Sequence, residues 1–260
     1  MGMLGLALNA ARQGARVLLA HMDRPDDELV IRAKRDGTPV SAADMASHRA
    51  IEVALAPSGI PVISEEGELP PYAVRKLWPH YWLVDPLDGT ASFLQQRSGF
   101  AVNIALCGPD GPIIGVVADP LEGVVYSGSP VFGGQTHSLH PAPSASGIPL
   151  RPLPPARPYR LLASSTERAS LEDLLPPHLL PSAPDDFVVT RMSGAQKFCH
   201  IAAGRADLHS RTGPYMEWDC AAGDGLLRAQ GLAVIDRHTG APLRYNSPTL
   251  LVQGLWVSRV

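Results

Sequence analysis

The feature that most constrains this chain is an acidic segment that directly follows an apolar run. The run Tyr81-Trp82-Leu83-Val84 is short, aromatic and branched, which is typical of a buried strand. The hexapeptide Asp85-Pro86-Leu87-Asp88-Gly89-Thr90 comes next. Because Pro86 cannot donate to a strand ladder, we expect the strand to end there in a turn. That turn should bring the carboxylates of Asp85 and Asp88 to one side.

The end of the hexapeptide is suited to an anion. Gly89 lets the backbone approach a ligand closely, and Thr90 opens the next segment with free N–H groups. Two carboxylates beside such a cradle indicate a site for a divalent metal and a phosphate together. An ordinary Asp-Pro turn is the alternative, because short motifs also occur by chance.

Two more acidic positions lie at the ends of predicted elements. Glu65-Glu66 follows the predicted strand Pro61–Ser64, and Asp219 begins a predicted helix after Trp218. A solvated turn and a helix N-cap are the alternative interpretations of these two positions. Carboxylates on three separate elements are what a site with two or three metals requires, since each metal needs several oxygen ligands.

These three segments, in this order, resemble the signatures of the inositol monophosphatase-like family of magnesium-dependent, lithium-sensitive phosphatases. The resemblance runs over nearly the whole chain. Ser193–Cys199 and Gly213–Asp219 resemble the CysQ branch of that family, the 3′(2′),5′-bisphosphate nucleotidases. The chain departs from this branch in lacking its usual Gly-Ser before Lys-Phe-Cys and in having Tyr215 where the branch has Thr.

The resemblance implies a mixed α/β fold, a layered αβαβα sandwich with the site between its two halves. The N-terminal half, residues 1–145, would carry most metal ligands. The C-terminal half, residues 146–260, would carry Asp219 and the residues that recognise the substrate. His140–Pro158, rich in Pro, Ser and Ala, is the predicted linker or long surface loop.

The resemblance also implies two Mg²⁺ ions, with a third held loosely. Glu65, Asp85 and the Leu87 carbonyl would hold the first ion. Asp85, Asp88 and Asp219 would hold the second, and the third would share Glu65 with the phosphate.

Catalytic roles follow for four residues near these ligands. Gly89 and Thr90 would bind the phosphate oxygens through their amides. Thr90 would position the attacking water while its own proton passes toward Asp44, and Glu66 would act as a nearby base or hold a water. For Asp44 the alternative is a capping-box acid, because Ser41-x-x-Asp44 fits that motif.

Four residues of the C-terminal half are candidates for binding the adenine and the second phosphate: Lys197, Arg191, Arg211 and Glu217. Arginine suits a phosphate because its planar fork can donate two parallel hydrogen bonds. A solvated surface charge is the alternative for either arginine, and we expect it to hold for at least one of them.

The implied reaction is hydrolysis of the 3′-phosphate of adenosine 3′,5′-bisphosphate to AMP, and of its 5′-phosphosulfate analogue, in sulfur assimilation. Inositol phosphates, histidinol phosphate and sugar bisphosphates are alternative substrates on the same scaffold. A catalytically idle nucleotide-binding or regulatory protein is the alternative of another class. The pair Asp44 and Thr90 argues against it, because a pure binder has no use for groups that activate water.

Composition narrows the partners and the compartment. The net charge of −3 and the absence of a basic run argue against nucleic acid as a partner. The cysteines form no CxxC pattern and are interpreted as reduced thiols of a cytoplasmic protein. Met1–Ala20 fits an amphipathic helix better than a transmembrane segment. A peripheral contact with the inner membrane, and the choice between monomer and homodimer, stay open.

Lys34 is a candidate to neutralise the acidic cluster.

The remaining pattern predicts a meander of short strands from Phe100 to Tyr126. Strands and helices should alternate after residue 158. A hairpin formed by Leu232–Asp236 and Leu243–Tyr245 should follow the last helix.

Overall fold

A computed structural model describes residues 2–22, 30–33, 39–96, 99–141, 146–180 and 184–260. The helices are α1 (Met3–Met22), α2 (Ala42–Leu55), α3 (Tyr72–Arg75), α4 (Thr90–Gln96), α5 (Leu171–Leu174), α6 (Gln196–Ala202) and α7 (Glu217–Arg228). Short 3₁₀ helices lie at Ala56–Ser58, Pro177–Leu179 and Pro184–Asp186. None of the helices in the described part of the chain combines the length and the apolar character that a membrane span requires.

The strands of the first half are β1 (Val30–Ala33), β2 (Pro39–Ser41), β3 (Val62–Ser64), β4 (Tyr81–Asp88), β5 (Ala101–Gly108), β6 (Gly111–Asp119), β7 (Val124–Ser129) and β8 (Gly133–Ser138). Those that follow are β9 (Ile148–Pro149), β10 (Tyr159–Ser164), β11 (Phe187–Met192), β12 (Leu208–Arg211), β13 (Tyr215–Met216), β14 (Ile235–Asp236), β15 (Leu251–Val252) and β16 (Leu255–Ser258).

Two large sheets organise the molecule. The seven-stranded sheet has the order β3-β4-β5-β6-β7-β8-β9, and only its β3–β4 pair is parallel. The five-stranded sheet has the order β11-β10-β12-β16-β14, with β11, β10 and β12 parallel. The pairs β1–β2 and β13–β15 form small separate ladders.

Alternation along the strands decides which helices each face of the large sheet contacts, because successive side chains of a strand point to opposite faces. On β4, Trp82 and Val84 pack with α1 and α2, whereas Tyr81 and Leu83 pack with α6 and α7. The other side of the α6–α7 layer meets the five-stranded sheet, and α5 covers the far face of that sheet. The layers are therefore helix, sheet, helix, sheet, helix, which confirms the predicted αβαβα fold.

The division of the chain at residues 145 and 146 stays a prediction. Residues 142–145 of the predicted linker lie outside the described residues, and the linker contributes the short strand β9 to the first sheet. The helix α7 of the second half packs on β5 and β6 of the first.

One detail of the predicted pattern was wrong, and the last strand was not predicted. Strand β4 does not end at Pro86, because the ladder with β5 resumes at Asp88 after a bulge. The predicted terminal hairpin forms, since Ile235 bridges Pro242 and the Leu243 amide donates to the Val234 carbonyl at 2.9 Å, but β14 also pairs with the last strand, β16. That last strand escaped prediction because its pairing is distant in sequence.

Helix α7 lies unusually close to β6. A Cβ atom built on Gly115 would lie 2.1 Å from the carbonyl oxygen of Ala222, and one on Gly225 would lie 2.7 Å from the amide nitrogen of Gly115. Real Cβ atoms do not approach that closely, so only glycine fits at either position. This contact fixes how closely α7 approaches the seven-stranded sheet. It thereby fixes the position of Asp219, which lies in the first turn of α7.

We therefore expect Gly115→Ala to lower the free energy of unfolding by about 1–3 kcal/mol or more, because helix and strand must separate to admit the methyl group. Urea denaturation followed by circular dichroism measures this change. The matched control is Gly108→Ala on β5, where an added Cβ would meet its nearest neighbours at 3.7 Å. Equal stabilities of the two variants would contradict the proposed close contact.

Candidate active site

Three carboxylates from distant parts of the chain meet at one edge of the large sheet. Glu65, Asp85 and Asp219 each offer an oxygen atom, and these oxygens all lie within 4.8 Å of one another. The parallel pairing of β3 with β4 explains the first two. It sets Ser64 opposite Val84, and the Glu65 amide donates to the Val84 carbonyl at 3.1 Å. Asp219 is added by the first turn of α7, where it accepts a hydrogen bond from the Met216 amide at 2.8 Å.

The bulge in β4 explains how Asp88 joins them. Asp85 pairs with Asn103 and Asp88 with Ala101, so three steps along β4 match two along β5. In a regular strand, residues three apart point to opposite faces, whereas the extra residue turns both carboxylates to the same face. The amide of Asn103 donates to the Asp88 carboxylate at 3.2 Å.

The pKa values of the cluster are strongly perturbed. Burial raises the pKa of Asp85 well above its ordinary value, and repulsion from Glu65, Asp88 and Asp219 raises it further. Burial and the charges of Asp88 and Glu65 do the same for the pKa of Asp219. Like charges held this close together repel one another, and a bound cation would neutralise them. A cluster made only of carboxylate oxygens fits a hard divalent cation such as Mg²⁺.

Lys197 supplies part of the missing positive charge. It is 2% exposed, and its ammonium donates to the carbonyls of Met192 and Gly194. Burial lowers its pKa to about 8, against the opposing attraction of Asp88. Lys197 is therefore a counter-charge to the acidic cluster, and its contact with substrate stays a prediction. Lys34, the other candidate for that role, lies outside the described residues.

The predicted pair of Thr90 and Asp44 lies within hydrogen-bond distance. The Thr90 hydroxyl is 3.0 Å from Asp44 Oδ1 and 3.2 Å from the Leu87 carbonyl oxygen. Asp44 also caps α2, since its Oδ2 accepts the Ser41 amide at 2.8 Å. The capping interpretation and the catalytic one are therefore compatible, because each uses a different oxygen. Burial raises the pKa of Asp44, and the charge of Glu66 raises it further.

Gly89 lies at the turn between β4 and α4, where only glycine fits. Its φ is +89°, and an added Cβ would lie 2.6 Å from the carbonyl oxygen of Gly99. The chain can therefore turn sharply from Asp88 into Thr90.

Glu217 has a position that the sequence did not suggest. It is 1% exposed, and its carboxylate accepts the amides of Asn246 at 2.5 Å and Ser247 at 2.9 Å. Buried Arg75 binds the same loop through the Asn246 side chain and the Ser247 carbonyl. This network fixes the loop against the start of α7, so the geometry does not match the predicted contact of Glu217 with substrate.

The two candidate arginines differ in their surroundings. Arg191 is exposed and donates to the Glu167 carbonyl at 3.2 Å. Arg211 is half-buried, and its guanidinium lies 4.4 Å from the centroid of the Tyr215 ring. Burial raises the pKa values of Asp88 and Asp219, and the charge of Arg211 offsets a part of that rise. Only Arg211 of this pair is therefore electrostatically coupled to the acidic cluster.

Glu167 holds the segment that carries Arg211, a role that no sequence motif indicated. Its carboxylate accepts the Thr212 amide at 3.0 Å and the Ala169 amide at 3.0 Å. Burial would raise the pKa of Glu167, but these donors outweigh it and hold the pKa at about 2. The segment after β12 is thus anchored by a permanently charged group.

Comparisons with known proteins agree with this geometry. A sequence model of the inositol monophosphatase family matches residues 3–259. The 3′(2′),5′-bisphosphate nucleotidase CysQ of Shigella flexneri is 38% identical over 216 residues, which cover 82% of each chain. CysQ of Escherichia coli K12 is 36% identical over 215 residues, with the same coverage.

Solved structures give the same result. The crystal structure of CysQ from Bacteroides thetaiotaomicron matches with a TM-score of 0.81 at 30% identity, covering 98% of this chain and 96% of that one. The inositol monophosphatase of Anabaena matches with a TM-score of 0.69 at 21% identity, covering 98% and 90%. At that lower identity the likeness shows the fold alone.

The raised pKa of Asp219 predicts a pH dependence of stability without metal. An acid whose pKa is raised by folding stabilises the fold when protonated, below its unfolded pKa of about 4. That stability is lost as the pH rises through the folded pKa. In chelator, we therefore expect the free energy of unfolding to fall between pH 5 and pH 8, and to fall less in Asp219→Asn.

Adding Mg²⁺ at pH 8 should raise the thermal midpoint of the parent protein more than that of Asp219→Asn, because a ligand stabilises only the state that binds it. The matched control is Asp185→Asn, an exposed position outside the cluster. A variant with the pH slope and the Mg²⁺ response of the parent would show that Asp219 does not belong to the metal site.

Proposed function

The chain belongs to the inositol monophosphatase family, and from this premise we propose that it is a Mg²⁺-dependent phosphatase that converts adenosine 3′,5′-bisphosphate to AMP. The observation that carries the proposal is the cluster of buried Asp85 with half-buried Glu65 and Asp219, beside the hydrogen-bonded pair of Thr90 and Asp44. The nucleotide substrate is supported by the likeness to the CysQ nucleotidases. The 5′-phosphosulfate analogue is a second proposed substrate, in sulfur assimilation.

We propose that Glu65, Asp85 and the Leu87 carbonyl hold one Mg²⁺, and that Asp85, Asp88 and Asp219 hold another. A third ion would share Glu65. When bound, such ions lower the pKa of water and neutralise the charge that develops on the phosphate and on the leaving oxygen. The repulsion between the carboxylates would thereby be replaced by attraction between each carboxylate and the ions.

Thr90 and Asp44 handle the proton of the attacking water. The Thr90 hydroxyl accepts a hydrogen bond from the water while its own proton is directed to Asp44 Oδ1, 3.0 Å away. Asp44 suits this task because burial raises its pKa, which moves its proton affinity toward neutral pH. Glu66 contributes by its negative charge, which raises the pKa of Asp44 further.

Gly89 and Thr90 are proposed to bind the phosphate oxygens through their backbone amides. The sharp turn at Gly89 supports this role, because a side chain there would collide with the Gly99 carbonyl. The cradle therefore begins one residue after the metal ligand Asp88. A phosphate in it would lie within reach of both the carboxylate cluster and the Thr90 hydroxyl.

Arg211 is the proposed ligand of the second phosphate, since its charge acts on the acidic cluster and Arg191 lies exposed to solvent. The stacking of Arg211 on Tyr215 restricts the orientation of its guanidinium. A guanidinium held in this way loses less entropy when it binds a phosphate.

The proposed compartment is the cytoplasm, because Cys107, Cys199 and Cys220 are free and buried. Three further properties stay predictions. They are a monomeric or homodimeric state, sensitivity to lithium, and a peripheral contact with the inner membrane.

A substrate panel tests the proposed function. With equal Mg²⁺, we expect release of phosphate from adenosine 3′,5′-bisphosphate with a higher kcat/KM than from inositol 1-phosphate, histidinol phosphate or fructose 1,6-bisphosphate. Asp85→Asn should reduce kcat/KM at least about a hundredfold because it removes a metal ligand. A higher kcat/KM on one of the other phosphates would assign a different substrate, and tight nucleotide binding without turnover would favour the idle binding protein.

The role of Arg211 has a separate test. We expect Arg211→Gln to lower the ratio of kcat/KM for adenosine 3′,5′-bisphosphate to that for adenosine 3′-monophosphate by about tenfold or more, because a charge-assisted hydrogen bond to the 5′-phosphate is lost. The same substitution at exposed Arg191 is the matched control and should leave the ratio unchanged. If both variants keep the parent's ratio, Arg211 does not bind the second phosphate.

A further inference from the structure

A buried arginine connects the two halves of the chain that supply the metal ligands. Arg75 ends α3, which lies between β3 and β4, and it is 1% exposed. Its Nη1 donates to the side-chain oxygen of Asn246 at 2.5 Å, and its Nη2 donates to the carbonyls of Ser247 and Pro248, both at 2.7 Å. The side-chain amide of Asn246 donates in return to the Arg75 carbonyl at 2.7 Å. These hydrogen bonds fix the loop 246–250 against α3.

The same loop is bound to the first residue of α7. The Glu217 carboxylate accepts the amides of Asn246 and Ser247, and the Glu217 amide donates to the Leu250 carbonyl at 2.8 Å. Strand β13, which leads into α7, also pairs with β15, which follows the loop. The loop therefore holds the start of the helix, two residues before Asp219.

Two residues of the loop have a backbone conformation that side chains disfavour. The φ angle is +64° at Asn246 and +57° at Leu250. Asparagine tolerates this region, whereas other residues with a side chain seldom adopt it. Such a conformation persists only where the surrounding contacts impose it. The bonds from Arg75 and Glu217, with the burial of Leu250 in the core, therefore hold the loop in a single form.

The close contact of α7 with β6 cannot position the metal ligand alone. That contact is made at Gly225, which lies roughly two turns along the helix from Asp219. A helix held only at this point could still tilt, and its first turn would move most. The loop is the second point of attachment, so it fixes the direction of the helix at the end that carries Asp219.

We propose that Arg75 is a positioning residue for the metal site. Acting through the loop and Glu217, it holds Asp219 at the distance from the other carboxylates that Mg²⁺ requires. The inference rests on the Mg²⁺ site of the proposed function. Mg²⁺ demands a near-ideal octahedron with oxygens at about 2.0–2.1 Å, so a small displacement of one ligand lowers its affinity. Groups that orient metal ligands from behind typically contribute about tenfold to a hundredfold in affinity.

The charge of Arg75 has the opposite effect on cation binding. A guanidinium near an acidic cluster repels a cation, so electrostatics alone would make Mg²⁺ bind more tightly when the charge is removed. Loss of the positioning contacts would instead make Mg²⁺ bind more weakly. The sign of the change in affinity therefore separates the two effects.

Titration calorimetry with Mg²⁺ alone, on the full chain without nucleotide, measures this affinity directly. We expect Arg75→Met to raise the Kd for Mg²⁺ by about tenfold or more, because the start of α7 is no longer held in place. Asn246→Gly should change the Kd in the same direction. Glycine keeps the positive φ but loses both side-chain bonds to Arg75, and the substitution leaves the charge unchanged. This second variant decides the test if Arg75→Met does not fold.

Arg228→Met is the matched control. Arg228 lies in the last turn of the same helix and also binds a distant part of the chain, donating to the Asp110 carbonyl at 2.8 Å and to the Asp224 carboxylate at 2.9 Å. Its loss should lower the thermal midpoint of the protein without metal, because the buried charge of Asp224 loses its partner. The Kd for Mg²⁺ should stay that of the parent, since Arg228 lies at the opposite end of α7 from Asp219.

Folded Asn246→Gly and Arg75→Met proteins that bind Mg²⁺ as tightly as the parent, or more tightly, would overturn the positioning role and leave the metal site intact. An equal loss of affinity in Arg228→Met would overturn it as well, because any weakening of α7 would then have the same effect. A parent protein that binds no Mg²⁺ would instead remove the metal site of the proposed function, and the inference with it.

Discussion

The structure depends on keeping Glu65, Asp85 and Asp219 together although their charges repel one another. Their oxygens lie within 4.8 Å, and burial with mutual repulsion raises the pKa values of Asp85 and Asp219. The apolar core must therefore contribute enough folding free energy to offset the electrostatic repulsion within this cluster. Each carboxylate belongs to an element held by extensive apolar packing, and α7 is pressed against β6 so closely that Gly115 admits no side chain. The remaining repulsion between the carboxylates is what a bound cation would offset.

The layered fold and the acidic cluster could be predicted because their signals are local. The apolar run at Tyr81 ends in carboxylates, and the parallel pairing of β3 with β4 then brings Glu65 beside Asp85 with no further information. The capping motif of Ser41 and Asp44 is likewise local, and it orients the acid that meets Thr90. Such features require only that neighbouring strands end at the same edge of a sheet.

What could not be predicted depends on residues far apart in sequence. The bulge that turns Asp85 and Asp88 to one face appears only when β4 pairs with β5, and the sequence indicated a turn there instead. The burial of Lys197 and Glu217, two predicted substrate contacts, was not foreseen from the sequence. Their burial depends on carbonyls and amides that no motif specifies, such as those of Met192 and Asn246. The final strand β16 was missed for the same reason.

The bulge also decides which residues share a face of the sheet with the metal site. Without the extra residue in β4, the row Asp88, Ala101 and Asp119 would not exist, because Asp88 would point to the face covered by α1 and α2. With it, one face of the sheet carries a metal ligand on β4 and an acceptor on β6, separated by the small residue Ala101. Ala101 is fully buried beneath α6, and the Ala195 amide just before that helix donates to the Asp88 carboxylate, so the bulge also turns Asp88 toward the helix layer that carries Asp219.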